Sequence, residues 1–174
     1  MIPFGGIADK NGVISWPPEH DTTMTVLGFD EAYENSLKVR LSGNVIVNVV
    51  SLPALALLKL FAWHERHVLT PRKDAHDFAL IARHYIDAGN QDRLHEEFSY
   101  LLDEPDFDYE IAGARILGHD IALIARDITR RAVIDILTTE SNVHARMALV
   151  AAMPLEPERA LLIVENVRKG LIES

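Results

Sequence analysis

The stretch from Leu52 to His67 constrains the fold more than any other part of the chain. It runs Leu-Pro-Ala-Leu-Ala-Leu-Leu-Lys-Leu-Phe-Ala-Trp-His-Glu-Arg-His, and Lys59 is the only charge before Trp63. A helix that is apolar nearly all round has to be covered on every side, so other elements must be laid around it. Ser51 and Pro53 supply its start signals. With 174 residues, 48% of them hydrophobic, the chain can build the core that such a helix needs.

Ahead of this helix the pattern is one of short strands and turns. Residues 2–7, 13–16, 23–27, 38–41 and 45–50 have strand character, with a short helix over 30–36. Asp9-Lys10-Asn11-Gly12 and Ser42-Gly43-Asn44 are turn signals, and Pro17-Pro18 is a stop. These strands predict a small antiparallel or mixed sheet.

Beyond the central helix the signals stay helical. Thr70-Pro71 predicts an N-cap and first helical position for a helix running to about Asp87 and ended by Ala88-Gly89-Asn90. Further helices are expected over 92–102, 109–117, 121–137, 141–153 and 157–172. The last carries the apolar stripe Ala160, Val164, Val167 and Leu171, with Gly170 near its C-terminal end. The fold class is therefore α+β: a partial mixed sheet packed on helices, followed by a helical C-terminal region. The acidic run Asp103 to Asp108 is the expected hinge between a region 1–102 and a region 103–174.

Charge and composition restrict the function classes. The net charge is −9, and the 17 Lys and Arg residues are scattered, which argues against a duplex DNA footprint and leaves room only for local nucleic-acid contact. The chain has no cysteine, so disulfides and thiolate metal sites are excluded. No segment reads as a leader, and the longest apolar run is interrupted by Pro53 and Lys59 and too short to span a bilayer. A cytoplasmic protein without membrane association is the expectation.

The residues with chemical promise are Lys59, Arg66, Arg72, Lys73, Asp74 and Asp77, on two consecutive helices. A lysine in so apolar a helix must snorkel to an edge, pair with Asp74 or Asp77, or hold an anion. Asp74 in a first turn also suits the helix dipole. Local physics alone accounts for the cluster by capping and ion pairing.

A resemblance adds to that reading. Leu52-Pro-x-Leu-x-x-Leu-Lys59-Leu-x-Ala62-x-x-x-Arg66, followed by Arg72-Lys73-Asp74-x-x-Asp77-Phe78, resembles a segment of nucleotidyltransferases of the AbiEii/AbiGii toxin family. Pro3-Phe4-Gly5-Gly6-Ile7 and Val26-Leu27-Gly28-Phe29-Asp30-Glu31-Ala32 are similar to a stand-alone branch of the same group, so the likeness covers residues 1–88. It implies a nucleotidyltransferase fold and Mg-dependent transfer of a nucleotidyl group from a nucleoside triphosphate to an acceptor, RNA in toxin relatives. Paired metals held by carboxylates neutralise the triphosphate and align the attacking hydroxyl in such chemistry. By the same resemblance Lys59 and Lys73 approach the triphosphate, Asp74 is the catalytic position that orients or polarises the site, and an antitoxin is a partner.

The family's metal motif, a Gly-Ser followed by Asp-x-Asp, is not found in this sequence. The third acidic residue would fall just ahead of Pro3, where only Met1 and Ile2 stand. The expectation is a chain truncated at its N-terminus relative to the family, without a metal site and inactive in transfer. The alternative is a non-catalytic structural or regulatory binding module that dimerises through an exposed sheet edge.

Other motifs read as structural. Asp21, Asp30 and Glu31 suit turns and helix starts. His64-Glu65-x-His67 has its histidines three apart rather than the four of a zinc helix. No Gly-x-Ser-x-Gly elbow, Gly-x-Gly-x-x-Gly fingerprint or Walker lysine is present. Trp16 and Trp63 suit core or interface anchoring.

Overall fold

The apolar helix forms as its sequence requires, and several neighbouring elements pack against it. The computed structural model describes residues 8–9, 12–15 and 23–174. In chain order it contains β1 (Val13–Ser15), β2 (Thr23–Thr25), α1 (Phe29–Glu34), β3 (Leu37–Arg40), β4 (Ile46–Val49), α2 (Leu52–Arg66) and α3 (Lys73–Arg83). Then follow α4 (Gln91–Glu96), a short 3₁₀ turn (Ser99–Asp103), α5 (Tyr109–Ile124), α6 (Asp127–Glu140), α7 (Ala148–Ala152) and α8 (Pro157–Glu173). The architecture is α+β with a helical C-terminal region. The expected opening strand, Trp16, Pro17-Pro18 and Asp21 lie outside the described residues.

The strands form two antiparallel pairs. β1 and β2 align Val13 with Thr25, and β3 and β4 align Leu37 with Val49 and Arg40 with Ile46. At the β3–β4 turn Gly43 has φ 80°, a left-handed conformation that glycine adopts without a Cβ penalty. Leu41 N–H closes the turn on the Val45 carbonyl at 2.9 Å.

α2 sinks Ala54, Ala56, Leu57, Leu60, Phe61 and Trp63 into the core, and helices α3, α5 and α6 cover it. One hydrophobic cluster runs from Ala56 to Leu171, so residues on both sides of the acidic run share it. α5 and α8 make the most extensive pairing, and Ala160, Val164, Val167 and Leu171 of α8 are fully buried as their stripe predicts. No helix among the described residues is long and apolar enough to cross a membrane.

Several expected boundaries move, each for a local reason. A break near 118–120 was expected, yet α5 continues to Ile124, because Gly118 and Gly170 are the points where α5 and α8 touch. A Cβ on Gly118 would lie 2.0 Å from the Val167 carbonyl oxygen, and one on Gly170 2.0 Å from that of Arg115. Both glycines thus mark a crossing rather than a helix end. α3 starts at Lys73 instead of Pro71, since the Thr70 hydroxyl donates back to the Arg66 carbonyl at 3.4 Å and finishes α2. Of the expected helix 141–153, only Ala148–Ala152 forms, after a turn ending in Met147 at φ 45°.

Buried and half-buried polar groups bind the helices to one another. Arg159 of α8 grips Asp108 through two bonds at 2.7 and 2.8 Å and Glu110 at 2.6 Å, while Arg83 of α3 holds Glu110 at 2.8 Å. Asp108 also caps α5 by accepting from Ile111 N–H at 3.0 Å. Asp120 takes Tyr85 Oη–H at 2.5 Å and the Arg93 guanidinium at 2.6 and 2.8 Å. Glu31, buried in α1, accepts the Thr129 hydroxyl at 2.6 Å and ties α1 to α6.

Candidate functional site

The cluster read from the sequence is assembled where α2 and α3 lie side by side. Lys59 and Arg66, two turns apart on α2, both point at Asp74 in the first turn of α3. Asp74 is fully buried. Its Oδ1 accepts from Lys59 Nζ at 3.2 Å and from Arg66 Nη2 at 2.9 Å, and its Oδ2 accepts from Arg66 Nε at 2.7 Å. Lys59 Nζ also reaches Asp77 Oδ2 at 2.5 Å. Both carboxylates considered as partners of Lys59 are therefore engaged with it.

The electrostatics follow from this geometry. Burial works to raise the Asp74 carboxyl, but hydrogen bonds from Arg66 and Lys59 outweigh it and hold the group below the ordinary carboxylate range. The Asp77 hydrogen bond raises the Lys59 ammonium above its usual value against the opposing effect of desolvation. Asp74 is thus a fixed anion that orients two cations. The cations are not exhausted: Lys59 has a third N–H, and Arg66 Nη1 makes no bond among the described residues.

These groups line a cavity of about 250 Å³ together with Met24, Phe29, Leu58 and Ala62. A second cavity of about 400 Å³ shares Thr25, Phe61 and Glu65 with it and extends between α2 and α6 over Leu27, Ala132 and Ile136. Lys73 is not at this site. It stands exposed at the start of α3, and its ammonium makes no hydrogen bond or ion pair among the described residues. Arg66 was singled out in the sequence but not carried into the expected site, although the same motif contains it. Glu65, which joins the two cavities and accepts from Thr25 N–H, was read only as part of the His64-Glu65-x-His67 segment.

The model of the family described as nucleotidyl transferase AbiEii toxin, type IV toxin–antitoxin system, matches residues 11–154. The chain belongs to the AbiEii nucleotidyl transferase toxin family. No curated protein and no solved structure gives a significant match.

An AbiEii family member would be expected to offer carboxylates to Mg. The carboxylates nearest the cavity are already committed: Asp74 to Lys59 and Arg66, Asp77 to Lys59, and Glu65 to the Thr25 amide. No group of three or more His, Asp or Glu side chains that could hold a metal ion is found among the described residues. These residues do not fit the ion. The His64-Glu65-x-His67 segment also diverges. His67 stacks on Trp63 at 4.6 Å with its Nδ1 3.0 Å from the His64 carbonyl oxygen, while Glu65 turns to Thr25.

Proposed function

We propose that this AbiEii family protein binds a nucleoside triphosphate at the cavity beside α2, with Lys59 and Arg66 facing its phosphates and Asp74 acting through them as a positioning residue. One observation carries this: two cations of one helix are held by a single buried carboxylate at the wall of a cavity, with donors to spare. Planar guanidinium and compact ammonium groups together suit a chain of phosphate oxygens. Asp77, part-exposed, is the partner that an incoming phosphate would displace from Lys59. Lys73, assigned to the phosphates by resemblance, would reach them only from outside the cavity.

The family's description supports nucleotidyl transfer as the reaction and an antitoxin as partner, and RNA as acceptor and the cytoplasm as setting are proposed with them. The described residues offer Mg no carboxylate set, so no transfer step is derived from them, and binding without turnover is the expected behaviour. Lys59→Ala should weaken triphosphate binding about tenfold to a hundredfold, the worth of a charge-assisted hydrogen bond. Lys73→Ala, at an exposed and screened position, should cost less than about fivefold. Equilibrium dialysis of labelled nucleotide against the two variants checks this, and unchanged affinity in Lys59→Ala would remove the assignment.

A second reading, a binding module that pairs with another copy, is favoured by the β3–β4 hairpin. Leu37, Val39 and Val49 are exposed on one face with Val47, and each strand has an edge without a partner among the described residues. Under this reading light scattering finds a dimer that Val39→Lys converts to monomer. A wild-type monomer at every concentration tested would dismiss it.

A further inference from the structure

On the flank of α3 opposite Asp74 lies a groove that the nucleotide cavity does not use, since Arg72 and His76 stand two residues to either side of Asp74 and project the other way. Part of it is a cavity of about 420 Å³ whose lining includes Val68, Pro71, Arg72, Arg146, Ala148 and Ala151, and no carboxylate. In a chain with 26 acidic residues against 17 Lys and Arg, that is a local reversal of charge. Neither guanidinium makes a hydrogen bond or ion pair among the described residues, so both can turn to an incoming anion. Val68 and its neighbour Leu69 are 82% and 85% exposed, more than any other large apolar side chain among the described residues. A free phosphate has no use for such aliphatic groups, whereas a peptide carrying both carboxylates and an apolar ring matches both halves of this surface.

The chain itself carries a segment of that chemistry. Asp103, Glu104 and Asp106 are exposed ahead of α5, and their carboxylates make no hydrogen bond or ion pair among the described residues. Arg115, which lines a small cavity with Glu104 and Asp106, is bonded to Glu173 and Asn166 instead. Pro105 and Phe107, the latter 40% exposed, supply the apolar part. This segment cannot reach the groove of its own molecule. Arg83, at the far end of α3, binds Glu110 at 2.8 Å, and Arg159 binds Asp108 at 2.7 Å, so the acidic run is pinned there. Arg72 stands at the other end of α3, about 16 Å away at 1.5 Å per helical residue.

From these observations we infer that the groove at the start of α3 receives the acidic run of a second copy of this chain, with Arg72 and Arg146 facing Asp103, Glu104 and Asp106, and Phe107 against Val68 and Leu69. The two surfaces differ, so the contact is head to tail, and a pair joined by it keeps one groove and one acidic run unoccupied. It uses neither the β3–β4 hairpin nor the nucleotide cavity. A net charge of −9 on each copy opposes approach, and exposed ion pairs contribute little each. The contact therefore forms only at high concentration, on the order of 0.1 mM and above.

The test is sedimentation velocity of the whole protein carrying Val39→Lys, which keeps hairpin pairing out of the measurement. The weight-average mass of this parent should rise with concentration through that range. Adding Arg72→Glu/Arg146→Glu sets an acidic groove against an acidic run, and adding Asp103→Lys/Glu104→Lys/Asp106→Lys sets a basic run against a basic groove. Each set should weaken the association at least about tenfold. An equimolar mixture of the two variants gives every groove a run of opposite charge and should restore association to within about threefold of the parent. All five substituted side chains are exposed, and melting temperatures equal to the parent's confirm that the fold is intact. Recovery on mixing cannot come from an unfolded variant, so loss of contact and loss of folding stay distinguishable. A parent that remains monomeric, variants that associate as the parent does, or a mixture no stronger than either variant alone would each overturn the inference.

Discussion

Gly118→Ala should destabilise the protein by at least about 3 kcal/mol, lowering the melting temperature by about 6–12 °C in a chain of this size. The added Cβ would sit 2.0 Å from the Val167 carbonyl oxygen, 2.9 Å from its carbon and 3.1 Å from Gly170 Cα. All three atoms are backbone, so relief requires α5 and α8 to separate along the most extensive interface in the molecule. Alanine's higher helix propensity, worth about 0.5–1 kcal/mol over glycine, cannot offset that. Gly113 provides the contrast on the same helix. Its nearest foreign atom would be Ile86 Cγ1 at 3.3 Å, a side chain that can give way, so Gly113→Ala should be close to neutral. Calorimetric melting of both variants decides the matter, and equal melting temperatures would mean that the α5–α8 crossing is wrongly described.

Asp74→Asn should cost about 3 kcal/mol, the lower end for breaking a buried ion pair, because half-exposed Arg66 can turn to water. It should also weaken triphosphate binding, since Lys59 and Arg66 lose the group that aims them. The sign of the pH effect follows from the depressed carboxyl. A carboxylate held below its unfolded value of about 3.9 contributes stability in full above that pH and loses it as pH falls through the folded value. Wild type should therefore lose stability below about pH 4. Asp108, Glu110 and Asp120, depressed in the same direction, act in the same window. Asp74→Asn should show a shallower acid limb in denaturant titrations run across that range. An acid limb identical to that of wild type would mean that Asp74 is not held ionised by its partners.

The parts of the fold legible in the sequence are those where one local signal dominates. The all-round apolarity of α2, the stripe of α8 and the Ser42-Gly43-Asn44 turn each determine their element without help from distant residues. The illegible parts depend on pairings that no local window contains. Gly118 reads as a helix breaker until Gly170 is known to press against it. Thr70 reads as an N-cap until its hydroxyl is seen to close α2.

The candidate site divides the same way. Lys59, Arg66, Asp74 and Asp77 fall within two adjacent helices, so helical spacing and family likeness brought them into view together. Lys73, next to Asp74 in sequence, faces away from it because successive helical residues project about 100° apart.

The central claim is that Lys59 and Arg66 provide a phosphate-binding site without a carboxylate set for Mg. Calorimetric titration of the wild-type protein with ATP, GTP, CTP and UTP, once with Mg²⁺ and once with a chelator, tests it most directly. Binding of at least one nucleotide, as strong with the chelator as with the metal and lost in Lys59→Ala, is the expected result. A strict requirement for Mg²⁺, or no binding of any nucleotide, would contradict it.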